Sequence, residues 1–214
     1  MESYRTLHPN HVHQLSVSAS KHYWVTGSGI VKFQHKPMEN SLDKLQNSKK
    51  CHLVHYVIRD HFSGVVYSEV TTSERMFSVE GFLFRAWSQK DGFIFCGIPD
   101  YLTVPKTVER AFPTIREQVS LLGVQFPKVT SGFQAGVRDV KTLEEYMKFF
   151  AERPLEEVQE QMNKVHVYLS TMGARTGKQT KLELWRSHIE SVRVPPESWP
   201  KVAFGCGLWA ALCN

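Results

Sequence analysis

The sequence predicts an α/β fold, a mixed five-stranded sheet flanked by helices, with a helical C-terminal extension. Two apolar, β-branched runs, CHLVHYVIRD and GVVYSEVT, meet at the turn-like HFSG and predict a hairpin. Helical periodicity follows the hairpin, and strand and helix patterns then alternate, as in a sheet covered on both faces. The chain has 214 residues, of which 42% are hydrophobic, so it can bury a substantial core.

Three further strands are predicted from shorter runs. HQLSVS, residues 13–18, alternates polar and apolar side chains and predicts the first strand. GIPDYLTV, residues 97–104, predicts a turn and then the fourth strand, and residues 124–126 predict a short fifth strand. With the hairpin, these runs complete the five strands.

Helices are predicted from capping and breaking residues. A helical pattern without such signals would leave the helix ends undefined. Cap candidates at 71–74 predict a helix that runs to about Gln89, and Pro113 and Gly123 mark the two ends of a second helix. The capping-box spacing at 142–145 predicts the start of a third helix, which the break at Arg153-Pro154 ends. A fourth helix is predicted to begin at Leu155.

Charge is unevenly distributed along the chain. The formal net charge is +5 and the isoelectric point is near 9.0, which favours an anionic partner. Residues 173–214 carry six Lys/Arg and three Asp/Glu, so more than half of the net charge lies in the last fifth of the chain. We therefore predict a core domain at 1–172 and a basic C-terminal extension at 173–214.

Cysteine spacing and hydropathy indicate the cellular compartment. The four cysteines form no CxxC pair, which argues against a structural zinc site and favours reduced thiols. No charged-then-apolar signal segment opens the chain, and the apolar run VAFGCGLWAALC is too short to span a bilayer. We expect a soluble cytoplasmic protein without membrane association.

Several segments follow the order of motifs in the integrase and transposase catalytic core, and the chain resembles that superfamily from about residue 9 to 150. Pro9-Asn10 precedes the first strand, and the hairpin turn reads RDHFSG at 59–64. The other similar segments are 97–104, 122–124, 134–139 and, further on, 177–180 with 184–185. The resemblance implies a ribonuclease-H-like fold, which has the element order predicted above.

In that superfamily, three carboxylates hold two divalent ions for phosphodiester cleavage and strand transfer. The resemblance puts these three positions on Ser16, Pro105 and Asp139, and only Asp139 is acidic. A serine hydroxyl is a poor Mg²⁺ ligand, proline has no side-chain ligand, and Lys106 adds a positive charge beside the second position. We therefore expect no intact catalytic residue set, no metal and no other cofactor.

The alternative is an active metal-dependent DNA nuclease or strand-transferase that binds Mg²⁺ or Mn²⁺ through displaced carboxylates. His11 and His13 share one face of the first strand, but no Ser, Asp or Glu stands at a spacing that makes them catalytic bases. A simpler interpretation of the available acids is that they are solvated or cap helices. These acids are Asp60, Glu69, Asp100, Asp139, Glu144 and Glu145.

An apolar stripe follows Pro154 at alternating three- and four-residue steps, the spacing of a coiled-coil seam. Two interpretations are open: the stripe packs on the sheet and helices of its own domain, or it forms a seam with a partner helix or a second copy, which would make a homodimer. Its residues are Leu155, Val158, Met162, Val165, Leu169 and Met172.

Basic residues surround a tryptophan in segment 175–186. Basic side chains contact phosphates without reading sequence, and an aromatic ring can stack on an unpaired base. The segment therefore predicts binding of nucleic acid, DNA in particular, without sequence specificity; a solvated basic face with a core tryptophan is the alternative. The candidate residues are Arg175, Lys178, Lys181, Trp185 and Arg186.

Taken as a whole, the sequence predicts an integrase-like accessory protein without catalytic activity. Its expected partner is nucleic acid or a protein such as a transposase. The metal-dependent enzyme with displaced carboxylates is the competing prediction.

Overall fold

The computed structural model describes residues 6–127, 136–174, 177–187 and 192–199, apart from the side chains at 46–47 and 136–137. Within these residues the chain forms one mixed five-stranded sheet with helices on both faces, which confirms the predicted fold class. The strands are β1 (Val12–Val25), β2 (Val31–Phe33), β3 (Cys51–Asp60), β4 (Val66–Thr72) and β5 (Tyr101–Thr103).

The long strand β1 organises the sheet. It pairs with β3 in antiparallel register, and β3 pairs in turn with β4, also antiparallel. The other edge of β1 is shared by two short strands: β5 pairs in parallel with its first residues, and β2 pairs in antiparallel register with its last residues. A register shift between Ala19 and Trp24 has the character of a β-bulge.

The turn between β3 and β4 is held by a buried carboxylate. Asp60 accepts hydrogen bonds from the backbone N–H of Ser63 at 2.7 Å and from its hydroxyl at 2.6 Å. It also accepts one from the backbone N–H of Asn10 at 2.9 Å. Gly64 then adopts a φ of 78°, a conformation that glycine takes without a steric penalty. The predicted hairpin is therefore confirmed, with its turn stabilised from within.

Six α-helices and one 3-10 helix lie within the described residues. Ser78 caps the first helix by accepting a hydrogen bond from the backbone N–H of Gly81, and Thr180 forms a capping box with Glu183 at the last. The α-helices are α1 (Val79–Trp87), α2 (Lys106–Ala111), α3 (Ile115–Ser120), α4 (Gly136–Met147), α5 (Leu155–Ser170) and α6 (Lys181–Arg186), and the 3-10 helix is Leu42–Asn47.

Alternate residues of β3 belong to two different cores. Tyr56 and Ile58 belong to the core that α1, α2 and α3 cover. Trp185 of α6 and Trp199 are buried in the same core, so residues beyond 172 pack on the domain. Val57 belongs to the core on the opposite face of the sheet, beneath α4 and α5. Among the described helices, none is long and apolar enough to cross a membrane.

The ends of two helices differ from the sequence prediction. β4 continues through Thr72, because β-branched threonine fits a strand and its side chain is buried there, so α1 is capped by Ser78 instead. Thr142 lies within α4, where its hydroxyl donates to the carbonyl of Arg138 at 3.1 Å. The capping-box spacing at 142–145 therefore does not mark a helix start.

One other predicted helix has boundaries that are partly confirmed, one predicted strand is wrong, and one predicted helix start is confirmed. The helix near Pro113 ends at Ser120, and Gly123 follows with a φ of 78°. Residues 124–126 form no strand, because Gln125 makes one isolated parallel bridge with Tyr101. The helix predicted from Leu155 begins at that residue.

Candidate functional site

Ser16 lies within the pairing of β1 with β3, opposite Val57. Its side chain shares a sheet face with Gln14 and Ser18, since side chains alternate along a strand. Val57 belongs to the core beneath α4, so α4 covers this face. Ser16 is 6% exposed. The first motif position is thus on the expected strand, where it offers a hydroxyl and no carboxylate.

Pro105 lies beside the same part of the sheet. Gln14 of β1 pairs in parallel with Thr103 of β5. Ser16 follows Gln14 by two residues and Pro105 follows Thr103 by two residues, so Ser16 lies on β1 beside the point where the chain leaves β5. Pro105 is the N-cap of α2, and its carbonyl accepts a hydrogen bond from the backbone N–H of Val108 at 2.9 Å. The second motif position therefore starts a helix and presents no side-chain ligand.

Asp139 on α4 is bound by an arginine of the sheet. Nη1 of Arg59 on β3 donates a hydrogen bond to Oδ1 of Asp139 at 3.0 Å, and the two side chains are 22% and 13% exposed. Burial raises the pKa of Asp139, and the charge and hydrogen bond of Arg59 oppose that rise. The acidic motif position is therefore engaged by an internal cation.

Lys181, at the start of α6, adds a second cation. Burial lowers the pKa of its ammonium, and the charge of Arg59 lowers it further. A Cβ atom placed on Gly64 would lie 3.3 Å from Nη2 of Arg59 and 3.7 Å from Cδ of Lys181. Both basic side chains consequently lie against the hairpin turn, and two cations face the one carboxylate of Asp139.

These residues do not fit a pair of Mg²⁺ or Mn²⁺ ions. Such ions need anionic oxygens between and beside them, whereas the motif positions supply a hydroxyl, a proline ring and a carboxylate that already binds a guanidinium. Positive side chains at the same place would also repel a dication. No group of three or more His, Cys, Asp or Glu that could hold a metal ion occurs in the described part of the chain.

Two of the candidate displaced acids have structural partners of their own. Glu69 on β4 forms a two-pronged ion pair with Arg85 of α1, with hydrogen bonds of 2.9 Å and 2.6 Å. Asp60 holds the hairpin turn, and its complete burial raises its pKa to about 6. Neither side chain points its oxygens toward a shared site with Asp139.

The remaining acids are dispersed. Glu144 on α4 lies 3.2 Å from Nε2 of the buried His55. Burial would raise the pKa of Glu144, but the hydrogen bonds of His55 and Ser20 and the charges of His55 and His22 together outweigh it, so the pKa is lowered. Asp100 lies 3.8 Å from His8, and Glu145 is exposed. The displaced carboxylates therefore do not converge on one centre within the described residues.

His13 has a structural role. Its Nδ1 accepts a hydrogen bond from Nε1 of Trp87 at 3.1 Å, so Nε2 carries the proton and donates to Oδ1 of Asn10 at 3.0 Å. Burial lowers the pKa of His13 to about 3. A neutral imidazole with both nitrogens paired serves as a connector in the core and has no free nitrogen for catalysis.

The apolar stripe of α5 packs within its own domain. Val158 and Met162 are fully buried in the core that α4 shares. A free seam is therefore wrong for these two positions, because their side chains are already enclosed. Leu155, Val165 and Leu169 are half-buried against the same core, and Met172, 41% exposed, lies beyond the end of the helix.

The residues of the predicted nucleic-acid-binding segment differ in their exposure to solvent. Trp185 is 2% exposed and its ring stacks on Phe95, with 5.3 Å between the centroids, so the prediction that it stacks on a base is wrong. Lys178 and Arg186 are exposed, while Lys181 is half-buried beside Asp139. Arg175 lies outside the described residues.

No sequence pattern indicates a role for Arg59, although the residue belongs to the hairpin motif. Alternation along β3 from the buried Val57 would have placed it on the face that α4 covers. Its partner Asp139 stands 80 positions further along the chain, so no local spacing reveals the pair.

Solved structures of retroviral proteins have a similar architecture. A chain of the simian T-cell lymphotropic virus intasome in complex with the PP2A regulatory subunit B56 gamma has a TM-score of 0.53 and 14% identity, covering 92% of this chain and 62% of that one. The HTLV-2 integrase catalytic core domain in complex with magnesium, trimeric form, has a TM-score of 0.48 and 18% identity, covering 84% and 99%. Its dimeric form has a TM-score of 0.47 and 20% identity, covering 86% and 99%.

This chain spans less than two thirds of the intasome chain that it matches. No protein-family model and no curated protein matches the sequence. At such low identity the likeness concerns the fold alone. The chain has an integrase-like, ribonuclease-H-like fold, as the order of its motifs predicted.

Proposed function

We propose that this chain is an integrase-like domain that has lost metal-dependent catalysis and acts as a non-catalytic accessory factor that binds nucleic acid. The ion pair between Arg59 and Asp139 carries the proposal. A catalytic metal ion needs the oxygens of that carboxylate, and the guanidinium already takes one of them. Ser16 and Pro105 add no negative oxygen, so nothing at these positions replaces the lost ligands.

Nucleic acid is the favoured partner because of charge. The net charge of +5 attracts a polyanion, and Lys178, just before α6, and Arg186, the last residue of α6, present exposed basic side chains. Contacts of this kind bind phosphates and carry no sequence information. We therefore expect binding without sequence specificity and with a steep dependence on salt.

A protein partner, such as a transposase, is the second candidate. Large apolar side chains are exposed at the end of α4 and on α5, where Phe149 is 83%, Val167 50% and Tyr168 51% exposed. Exposed apolar side chains that lie close together are typical of protein interfaces. The similar intasome chain belongs to an assembly with a PP2A regulatory subunit, which supports a protein-binding role as an analogy.

A cleavage assay tests the loss of catalysis. Purified protein is incubated with supercoiled plasmid DNA and Mg²⁺ or Mn²⁺, and nicked and linear products are quantified on gels. We expect no products above those of protein in chelator. Asp139→Asn removes the acidic motif position, and Glu145→Gln removes an exposed carboxylate of the same helix as a matched control.

The pattern across variants decides the outcome. Metal-dependent cleavage that Asp139→Asn abolishes and Glu145→Gln preserves would overturn the proposal and establish the competing enzyme. Equal products from all three proteins indicate a contaminating nuclease, and the proposal then stands.

A further inference from the structure

We propose that Arg59, Arg138 and Lys181, the basic cluster, bind a phosphate group directly, without a metal ion. The inference rests on the proposed function and names the chemistry at its site. Where the resemblance implies bound metal ions, beside Asp139, this chain has positively charged side chains. The ligand class changes accordingly, from a divalent cation to an oxyanion. We expect the phosphate group to belong to a nucleic-acid backbone. The experiment below distinguishes this source from free inorganic phosphate.

The basic cluster is assembled from three elements, two of which meet at the hairpin turn. Arg59 comes from β3, Arg138 from α4 and Lys181 from the first position of α6. The turn at Gly64 approaches Arg59 and Lys181 so closely that an added Cβ would lie 3.3 Å and 3.7 Å from their side-chain atoms. Glycine at this position therefore lets two basic side chains share one small region of the surface.

Positive charge exceeds negative charge in this region. Arg59 and Lys181 meet at the turn, and Arg138 precedes Asp139 directly on α4. The charges of all three lower the pKa of Asp139, against the larger effect of its burial. Arg59 neutralises that carboxylate through a hydrogen bond of 3.0 Å. Within the described residues, no hydrogen bond or ion pair occupies the ammonium of Lys181. Arg138 is exposed.

The state of Lys181 favours an added anion. Burial and the charge of Arg59 lower the pKa of its ammonium and the charge of Asp139 raises it, but Asp139 already forms its hydrogen bond with Arg59. A phosphate oxygen beside Nζ would supply the missing partner, and charge-assisted hydrogen bonds of this kind are about twice as strong as neutral ones. An exposed guanidinium at Arg138 can bind a second oxygen of the same group.

DNA binding measured in chelator tests the proposal. A fluorescein-labelled mixed-sequence duplex is titrated with the full chain at several salt concentrations, and anisotropy gives the affinity and its salt slope. The variants are Lys181→Met, which keeps the buried stem, and Arg138→Gln, which changes an exposed side chain and leaves the fold intact. Lys178→Met, three positions from Lys181 and exposed, is the matched control for loss of one positive charge.

We expect Lys181→Met and Arg138→Gln each to weaken DNA binding about tenfold and to lower the salt slope by about one, with a smaller effect of Lys178→Met. Equal effects of all three substitutions, or no effect of Lys181→Met, would show general attraction without a site and overturn the proposal. Weak or absent binding of the wild type to both DNA and phosphate would overturn it as well.

Two further arms identify the source of the phosphate. Melting temperatures in inorganic phosphate and in chloride at equal ionic strength report binding of the free ion, and we expect a rise in phosphate that Lys181→Met removes. A rise with phosphate but no DNA binding supports the site and assigns it a small-molecule source. Poly-glutamate that competes as well as DNA contradicts phosphate recognition.

Failure here is distinguishable from failure of the proposed function. The first appears as unchanged DNA or phosphate binding in the variants, and the second as metal-dependent cleavage of plasmid DNA.

Discussion

Arg59 on β3 and Asp139 on α4 form an ion pair in which Nη1 lies 3.0 Å from Oδ1. The pair joins the sheet to the helix that covers it, at the position where the resemblance implies the third metal-binding carboxylate. A guanidinium therefore stands where a divalent cation would otherwise compensate the acid. Structural support at this place depends on the protein's own side chains. The first of four predictions concerns this pair, and the other three concern buried groups elsewhere in the domain.

Asp139→Asn should lower the free energy of unfolding by about 1–2 kcal/mol, because it leaves the largely buried guanidinium of Arg59 without its counter-charge. Urea denaturation measures the change. Glu145→Gln, on the same helix and exposed, should change stability by less than about 0.5 kcal/mol. A gain in stability with Asp139→Asn would contradict the ion-pair account, since it indicates relief of repulsion in an empty acidic site.

Stability should fall as the pH drops below the usual pKa of histidine, through His166. Its Nε2 lies 2.6 Å from Oγ of Ser68, and complete burial lowers its pKa to about 4 from 6.5. Between these values the unfolded chain binds more protons than the folded protein, so stability rises with pH in that window. The difference amounts to at most about 3 kcal/mol.

Thermal unfolding of the wild type and His166→Gln at several pH values isolates this contribution. The stability difference between the two proteins should change with pH below 6.5 and level off near 4. A constant difference across this range would show that His166 titrates normally in the folded protein.

Met162→Ala should destabilise the protein by about 2–5 kcal/mol, because the side chain is fully buried between α5 and the sheet. Urea denaturation gives the loss, and light scattering at several concentrations gives the mass. The mass should be the same as that of the wild type. An altered mass with little loss of stability would instead show that the stripe is a seam between chains.

Trp185→Phe should preserve DNA affinity, because the ring lies in the core and stacks on Phe95. Trp185→Ala should reduce the free energy of unfolding by about 3–5 kcal/mol. Anisotropy with single-stranded and duplex DNA, at a temperature where both variants are folded, checks the first statement. Weaker binding to single-stranded DNA by a fully stable Trp185→Phe variant would restore the base-stacking role.

Local patterns predicted much of the fold. The hairpin and the start of α5 follow from β-branched runs, a turn and the proline before Leu155, all of which are contiguous signals. The errors arose where one residue type serves two structures. Thr72 suits a cap and a strand alike, and burial in the sheet decided in favour of the strand. A tryptophan such as Trp185 can likewise stack on a nucleic-acid base or pack in a hydrophobic core.

The candidate site was predictable only in part. Motif order placed Ser16 on the first strand, where the structure has it. Pro105, expected at the end of the fourth strand, caps α2, and Asp139, expected ahead of a helix, lies inside α4. The partner of Asp139 was not predictable, because Arg59 meets it through the packing of α4 on the sheet, and such packing has no signature in sequence spacing. The position of Lys181 beside the same carboxylate depends on tertiary structure in the same way.

Calorimetric titration of Mn²⁺ into the full chain is the most direct test of the central claim, that the acidic motif position is compensated internally and holds no metal ions. The account predicts no saturable binding of Mn²⁺ up to the millimolar range and the same trace for Asp139→Asn. Saturable binding of one or two ions by the wild type that Asp139→Asn abolishes would contradict it.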